Sequence, residues 1–161
     1  MRVGCGYDVH KLGKGEKLIL GGVEIEFEKG LVGHSDGDVL THALMDSLLG
    51  ALGSGDIGKH FPDEDPSYEG ISSLILLEEI ALLVKEKGFM VNNADMTIIA
   101  QRPKLAPYLS QMEKNLASVL EVGEERLNIK ATTTEGLGFI GKKQGIAAQA
   151  IASLNFKESG N

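Results

Sequence analysis

The sequence predicts an α+β fold, a single domain in which a mixed β-sheet carries helices packed on one face. Three observations lead there. Apolar residues alternate with small or polar ones at the start of the chain, in RVGCGYDVH, and at its end, over Gly145 to Phe156. Between them lie segments with apolar residues at helical spacing, and strands and helices follow one another in mixed order. A length of 161 residues suits one domain that buries a real core.

The first strand covers RVGCGYDVH. KLILGGVEIEF then reads as two short strands joined at Gly21-Gly22, a hairpin signal. The loop EKGLVGHSDGD leads into a helix predicted to begin near Asp36, with Ser35 and Asp38 as a capping box. Leu44, Met45, Leu48, Leu49 and Leu52 give that helix its apolar face. His42 lies about two turns in, with Asp38 at i−4 and Asp46 at i+4 as candidates to orient its ring. The eighteen residues GSGDIGKHFPDEDPSYEG form a long loop, read as an active-site flap rather than a merely solvated acidic loop. They lack the spaced acids of an EF-hand. Residues 71–87 form an apolar helix with Leu76, Leu77, Ile80, Leu83 and Val84 on one face and Gly88 as its cap. ADMTIIAQ reads as a buried strand ended by Pro103, and residues 107–121 as an amphipathic helix. Leu127 to Thr132 and Gly145 to Phe156 complete the strands. Ala148, Ala150 and Ala152 give the last one a face of small side chains, over which another backbone can pass closely.

Hydrophobic residues make up 42% and charged residues 24%, an ordinary globular composition. A net charge of −7 argues against nucleic-acid binding and means that an anionic substrate needs local cations or metals. No apolar run approaches membrane-spanning length, and the start of the chain lacks a signal peptide's apolar core. Cys5 is the only cysteine, so an internal disulfide is impossible and a reducing, cytoplasmic location is expected, with Cys5 as a small buried thiol.

On a strand, residues two apart point to one side, so Asp8 and His10 offer a carboxylate oxygen and an imidazole nitrogen to one point in space. A catalytic zinc site needs three protein ligands and an open position, and His42 is the best candidate for the third. The D-x-H pair alone is too short to be specific. GLGFIG at 136–141 matches a dinucleotide-binding pattern, but only twenty residues follow and they read as one strand, so that reading fails. GKGEK lacks the Walker spacing. In KATTTEGLGF, consecutive threonine hydroxyls, backbone N–H groups and Glu135 suit phosphate oxygens and a hard cation, although threonines also simply favour strands. AQRPKLAP is a second loop whose backbone around Pro103 and Lys104 could frame a planar base.

Six stretches together resemble the 2-C-methyl-D-erythritol 2,4-cyclodiphosphate synthases of the non-mevalonate isoprenoid pathway. They are GYDVH (6–10), GLVGHSDGDVLTHALMDSLLGA (30–51), GDIGKHFPDEDP (55–66), DMTIIAQRPKLAP (95–107), KATTTEGLGFIG (130–141) and GIAAQAIA (145–152), and they cover most of the chain in order. The resemblance implies that Asp8, His10 and His42 hold Zn²⁺, one ion per subunit. It implies that His34 and Ser35 lie over the substrate, and that His34 and Thr133 are catalytic, stabilising the transition state. Asp56, Ile57 and Gly58, with Phe61, Pro62, Asp63, Glu64 and Asp65 of the flap, would contact the methylerythritol and sugar parts, and Asp8 and His10 would also touch substrate. Ala100, Gln101, Arg102, Pro103, Lys104, Leu105 and Ala106, with Ala131, Thr132, Thr133, Thr134 and Glu135, would bind the cytidine nucleotide. Glu135 would also bind a second divalent ion, Mg²⁺ or Mn²⁺, between the phosphates. Phe139 and Lys142 would lie near the phosphates and the central cavity of a homotrimer whose active sites fall between subunits.

The implied reaction closes 4-diphosphocytidyl-2-C-methyl-D-erythritol 2-phosphate into the 2,4-cyclodiphosphate and expels CMP. Two cations answer the puzzle of an acidic chain with an anionic substrate. Lys142 stands where arginine is frequent and Gln144 where an acid is common, which bears on the cavity-side contacts only. A zinc phosphohydrolase on the same ligands is the competing enzymatic reading. A structural zinc in a nucleotide-sensing module is the non-enzymatic one, disfavoured because such a site is usually closed by a fourth ligand.

Overall fold

Two long strands from opposite ends of the chain run side by side and set the frame. In the computed structural model, which describes residues 1–62 and 64–157, β1 (Arg2–Gly13) pairs antiparallel with β7 (Gly145–Phe156) from Arg2↔Leu154 to Lys11↔Gly145. β4 (Gly30–Val32) adds to the free edge of β1. On the other side β5 (Phe89–Ile99) runs antiparallel to β7, with a bulge between Val91 and Asn93, and β6 (Leu127–Thr132) runs parallel to β5. The sheet is therefore mixed, in the order β4-β1-β7-β5-β6. Leu18–Leu20 (β2) and Val23–Ile25 (β3) form the separate hairpin expected around Gly21-Gly22, both of which have positive φ.

The helices cover one face. α1 (Val39–Leu52) lies on β1 and β7, α3 (Ser73–Glu86) lies beside α1 and against β5, and α4 (Leu109–Leu120) packs on α3 and β6. Leu44, Leu48, Leu77, Ile80, Met96, Ile98, Met112 and Leu116 fill the layer between. Ala148, Ala150 and Ala152 are fully buried beneath this layer, so the small-residue face serves the approach of α1 within the subunit. No helix among the described residues is long and apolar enough to cross a membrane.

The opposite face of the sheet is open and partly apolar. Val3, Tyr7, Val9 and Ile151 lie on it, with Tyr7 57% exposed. Cys5 belongs to this face, two residues from Val3 and Tyr7, and is exposed rather than buried. The inward positions of β1 are taken by Gly4 and Gly6 instead.

Several boundaries differ from the sequence reading. α1 starts at Val39, because Gly37 adopts φ +71° and breaks any earlier helical run; Asp38 is the cap, accepting from Thr41 N. The loop before α1 contains β4, too short for its alternation to show. β5 begins five residues earlier than ADMTIIAQ, its start obscured by the bulge and by Asn92-Asn93. The long loop is not wholly irregular: α2 (Ile57–His60) and a 3₁₀ turn (Pro66–Tyr68) lie within it. The strand that follows GLGFIG, after the single turn α5 (Gly138–Gly141), is β7, and no dinucleotide-type βαβ unit forms.

Candidate active site

Glycines make the site possible. A Cβ on Gly6 would lie 2.0 Å from the carbonyl oxygen of Ala43, and one on Gly4 2.0 Å from that of Ser47. α1 therefore rests directly on the backbone of β1, and His42, one residue before Ala43, drops beside the next inward-facing positions of the strand. Those positions are Asp8 and His10. Asp8 Oδ2 is 2.9 Å from His10 Nε2 and 3.0 Å from His42 Nδ1, and the two imidazole nitrogens are 3.0 Å apart. Tetrahedral coordination at about 2.0–2.1 Å per ligand separates neighbouring donors by about 3.3 Å. This carboxylate and two imidazoles, a set that zinc accepts, thus stand within a few tenths of an ångström of the required triangle. They are the one such group of metal-ligating side chains among the described residues.

The electrostatics agree. Burial alone would push the Asp8 carboxyl up, but hydrogen bonds and attraction from His10 and His42 hold it well below the usual carboxylate range. Burial likewise favours neutral His10, yet the bond and charge of Asp8 raise its pKa above the ordinary histidine value. The three groups hold one another in the geometry a cation would complete. His10 Nδ1 donates to the carbonyl of Val32 at 2.9 Å.

Neither aspartate expected to orient His42 does so. Asp38 is turned away, accepting from Gly21 N, Gly22 N and both donors of Thr41. Asp46 accepts from Ile57 N at 2.8 Å and pins α2 to α1. The far nitrogen of His42 instead meets Ser73 Oγ at 2.9 Å and Ser35 Oγ at 3.0 Å. Ser73 carried no signal in the sequence, because its partners lie more than thirty positions away.

A pocket of about 250 Å³ opens over these three side chains. Of the expected residues, His34, Ser35, Ile57, Gly58 and Phe61 line it, and Met45, Tyr68 and Leu76 join them. Met45 and Leu76 read from the sequence as core, and Tyr68 as a member of the flap not singled out. Phe61 and Tyr68 meet edge to face, ring centres 5.3 Å apart. His34 Nε2 donates to the carbonyl of Asp65 at 3.3 Å, so the imidazole lies under the flap. The other flap residues are less direct: Asp56 caps α2, Asp65 holds Ser67 with its carboxylate, and Pro62 and Glu64 are exposed away from the lining. Asp63 lies outside the described residues.

The two expected nucleotide loops come together in a second pocket of about 510 Å³, lined by residues 100–106 with Ala131, Thr132, Thr133 and Glu135. Gln101 Oε1 accepts from Gly136 N at 3.1 Å and ties one loop to the other. Thr134 does not line the pocket; its hydroxyl donates to Leu137 O at 2.7 Å, and that of Thr133 donates to Glu135 Oε1 at 2.9 Å. Glu135 is exposed, with φ +52°, and belongs to no cluster of metal-ligating side chains among the described residues. Phe139 and Lys142 line a third pocket of about 590 Å³ together with Lys29, Lys143 and His10, which also faces the first pocket.

Known proteins with this architecture carry the same sequence pattern. The profile of the YgbB family matches residues 1–155. The 2-C-methyl-D-erythritol 2,4-cyclodiphosphate synthase of Agathobacter rectalis is 62% identical over 154 residues, covering 96% of this chain and 87% of its own. Among solved structures, the bifunctional IspDF from Campylobacter jejuni superposes with a TM-score of 0.93 at 45% identity, over 96% of this chain and 42% of the longer protein. The IspF of Plasmodium falciparum, in a CDP complex, superposes at 0.86 and 39% identity, over 98% of this chain and 97% of its own.

Proposed function

The chain belongs to the YgbB family, that of the 2-C-methyl-D-erythritol 2,4-cyclodiphosphate synthases, and on that premise we propose how its pockets carry the family's reaction. It converts 4-diphosphocytidyl-2-C-methyl-D-erythritol 2-phosphate into the 2,4-cyclodiphosphate with release of CMP, in the non-mevalonate route to isoprenoid precursors. An oxygen of the 2-phosphate bonds to the β-phosphorus, the bond from that phosphorus to the bridging oxygen breaks, and CMP departs with the oxygen. The attacking phosphate is already ionised near neutral pH, so no general base is needed. The barrier lies in bringing two anionic phosphates together, and an intramolecular attack gains from correct folding of the substrate.

Asp8, His10 and His42 would hold Zn²⁺, and Glu135 would hold Mg²⁺ or Mn²⁺. Bound there, the two ions would supply Lewis-acid charge to the β-phosphate and to the departing CMP. The chain's own groups do the rest. His34 and Thr133 donate hydrogen bonds to the transferring phosphoryl group, His34 by exchanging its long bond to Asp65 O for a substrate oxygen. Asp56, Ile57 and Gly58, with residues 61–65, contact the methylerythritol part while Phe61 and Tyr68 exclude water. Residues 100–106 and 131–135 hold the cytidine nucleotide largely through backbone. The CDP complex of the Plasmodium falciparum relative supports a cytidine nucleotide as the ligand. Phe139 and Lys142 lie toward the phosphates and the central cavity.

The same proposal makes the protein a cytoplasmic homotrimer with active sites between subunits. The trimer is supported by the open, partly apolar sheet face, together with two pockets that share no lining residue and a Glu135 left exposed. The observation that carries the metal-dependent reading is the triangle of donors from Asp8, His10 and His42. Phosphorus NMR of the protein with the diphosphocytidyl substrate, Zn²⁺ and Mg²⁺ tests it. Two coupled resonances of a cyclic diphosphate, appearing with CMP, are expected. CMP with two uncoupled monoester signals would mean hydrolysis instead.

A further inference from the structure

We propose that Asp36 and Ser73 form a positioning relay that draws the His42 hydrogen to Nε2 and so frees the Nδ1 lone pair for the metal. The inference rests on the reading of Asp8, His10 and His42 as metal ligands. It concerns two residues that touch no ligand themselves.

The direction of each hydrogen follows from the donors available. Ser73 has a single hydroxyl hydrogen, directed to Asp36 Oδ1 at 2.5 Å. Its oxygen, 2.9 Å from His42 Nε2, is then left to accept, so Nε2 carries the hydrogen. Nδ1, 3.0 Å from Asp8 Oδ2 and from His10 Nε2, faces the opposite pull, because the Asp8 carboxylate accepts a hydrogen from it; the relay works against that pull and frees the Nδ1 lone pair for a cation. The other carboxylate oxygen of Asp36 accepts from Ser73 N at 3.0 Å, and Asp36 N donates to Ile71 O at 3.0 Å. Aspartate and serine are therefore held to each other by backbone as well as side chain, and Ser73 is fully buried at the start of α3.

Ser35 shows why the relay is needed. Its hydroxyl lies 3.0 Å from the same nitrogen and 3.4 Å from Ser73 Oγ. That hydroxyl can donate to a bare Nε2 or accept from a protonated one, so it selects neither tautomer. Asp36, acting through Ser73, breaks the tie. The two histidines then present opposite nitrogens, Nε2 from His10 and Nδ1 from His42, each set by the bond on its far side.

Asp36→Asn weakens the relay with little change of shape. Asp36 Oδ1 accepts from Asp38 N at 3.2 Å as well as from Ser73 Oγ, so either placement of the amide NH₂ opposes a backbone N–H, and the charge that holds the serine hydrogen is lost. Zinc affinity, read by competition with a chromophoric chelator on the full chain, is expected to fall about 10–100-fold. Nitrogen-15 spectra of metal-free protein should show the Nε2–H fraction of His42 falling in favour of Nδ1–H, the form whose hydrogen Asp8 accepts. Ser73→Ala, which leaves only Ser35 at Nε2, should give a smaller loss and a mixed tautomer, and it serves if Asp36→Asn does not fold. Unchanged affinity together with an unchanged tautomer in both variants would overturn the relay. If the wild type takes up no zinc at His42, the metal reading fails separately. The tautomer comparison then decides the relay alone, a change supporting it and identity refuting it.

Discussion

Replacing Gly6 by alanine tests whether the contact of α1 with β1 sets the spacing of the metal ligands. The new Cβ would sit 2.0 Å from Ala43 O and 2.8 Å from Ser47 N, both backbone atoms that cannot rotate aside. Contacts under 3.0 Å are essentially unseen for real Cβ atoms, so helix and strand must part by about 1 Å. Overpacking of this kind costs about 1–3 kcal/mol, equivalent to about 2–12 °C of Tm for a domain of this size. The displacement also separates His42 on α1 from Asp8 and His10 on β1, opening two sides of the donor triangle from 3.0 Å to about 4 Å. Zinc affinity should fall on the order of 10²-fold, measured by chelator competition beside thermal unfolding. Gly50→Ala is the matched control. Its Cβ would meet nothing closer than 3.8 Å inside the same helix, so it should leave zinc binding intact and add about 0.5–1 kcal/mol. A Gly6→Ala protein with wild-type Tm and zinc affinity would refute the reasoning.

His42→Ala should abolish stoichiometric zinc and turnover while circular dichroism stays native; full zinc content would remove His42 from the ligand set. Glu135→Gln should lower turnover about 10²-fold at limiting Mg²⁺, with partial recovery at high Mg²⁺, which a plain kinetic titration reads. Zinc must displace a proton from His10, whose pKa is raised by Asp8 against the opposing effect of burial. Apparent affinity should therefore fall about tenfold per pH unit below that raised value and level off above it, with proton release seen by calorimetry. Cys5 is exposed on the open sheet face, so it should resist thiol reagents in the proposed trimer and react once subunits dissociate; equal labelling in both states would count against that interface.

Local patterns carried much of this protein in its sequence. Alternation marks β6 and β7 at their observed limits and the Gly21-Gly22 hairpin, because side-chain period and turn chemistry are properties of neighbouring residues. The same period placed Asp8 and His10 together, and the family-like stretches assembled the two loops that line the second pocket. Misreadings came where a distant partner or a single backbone angle overruled the local pattern. The φ of Gly37 moved the start of α1, and the bulge at Val91–Asn93 hid the beginning of β5. Cys5 looked like a buried small residue, yet the close approach of α1 required glycine on the inward face and left the thiol outside. Helical spacing offered Asp38 and Asp46 to His42, but both satisfy backbone N–H groups elsewhere, Asp38 on the hairpin and Asp46 on α2. What the sequence by itself determined was the set of elements and the donor types. What only tertiary structure decided was the separation of α1 from β1, which brings Asp8, His10 and His42 to donor distance. It also joined Asp36 to Ser73 behind His42, 37 positions apart, and no local pattern can bring two such residues together.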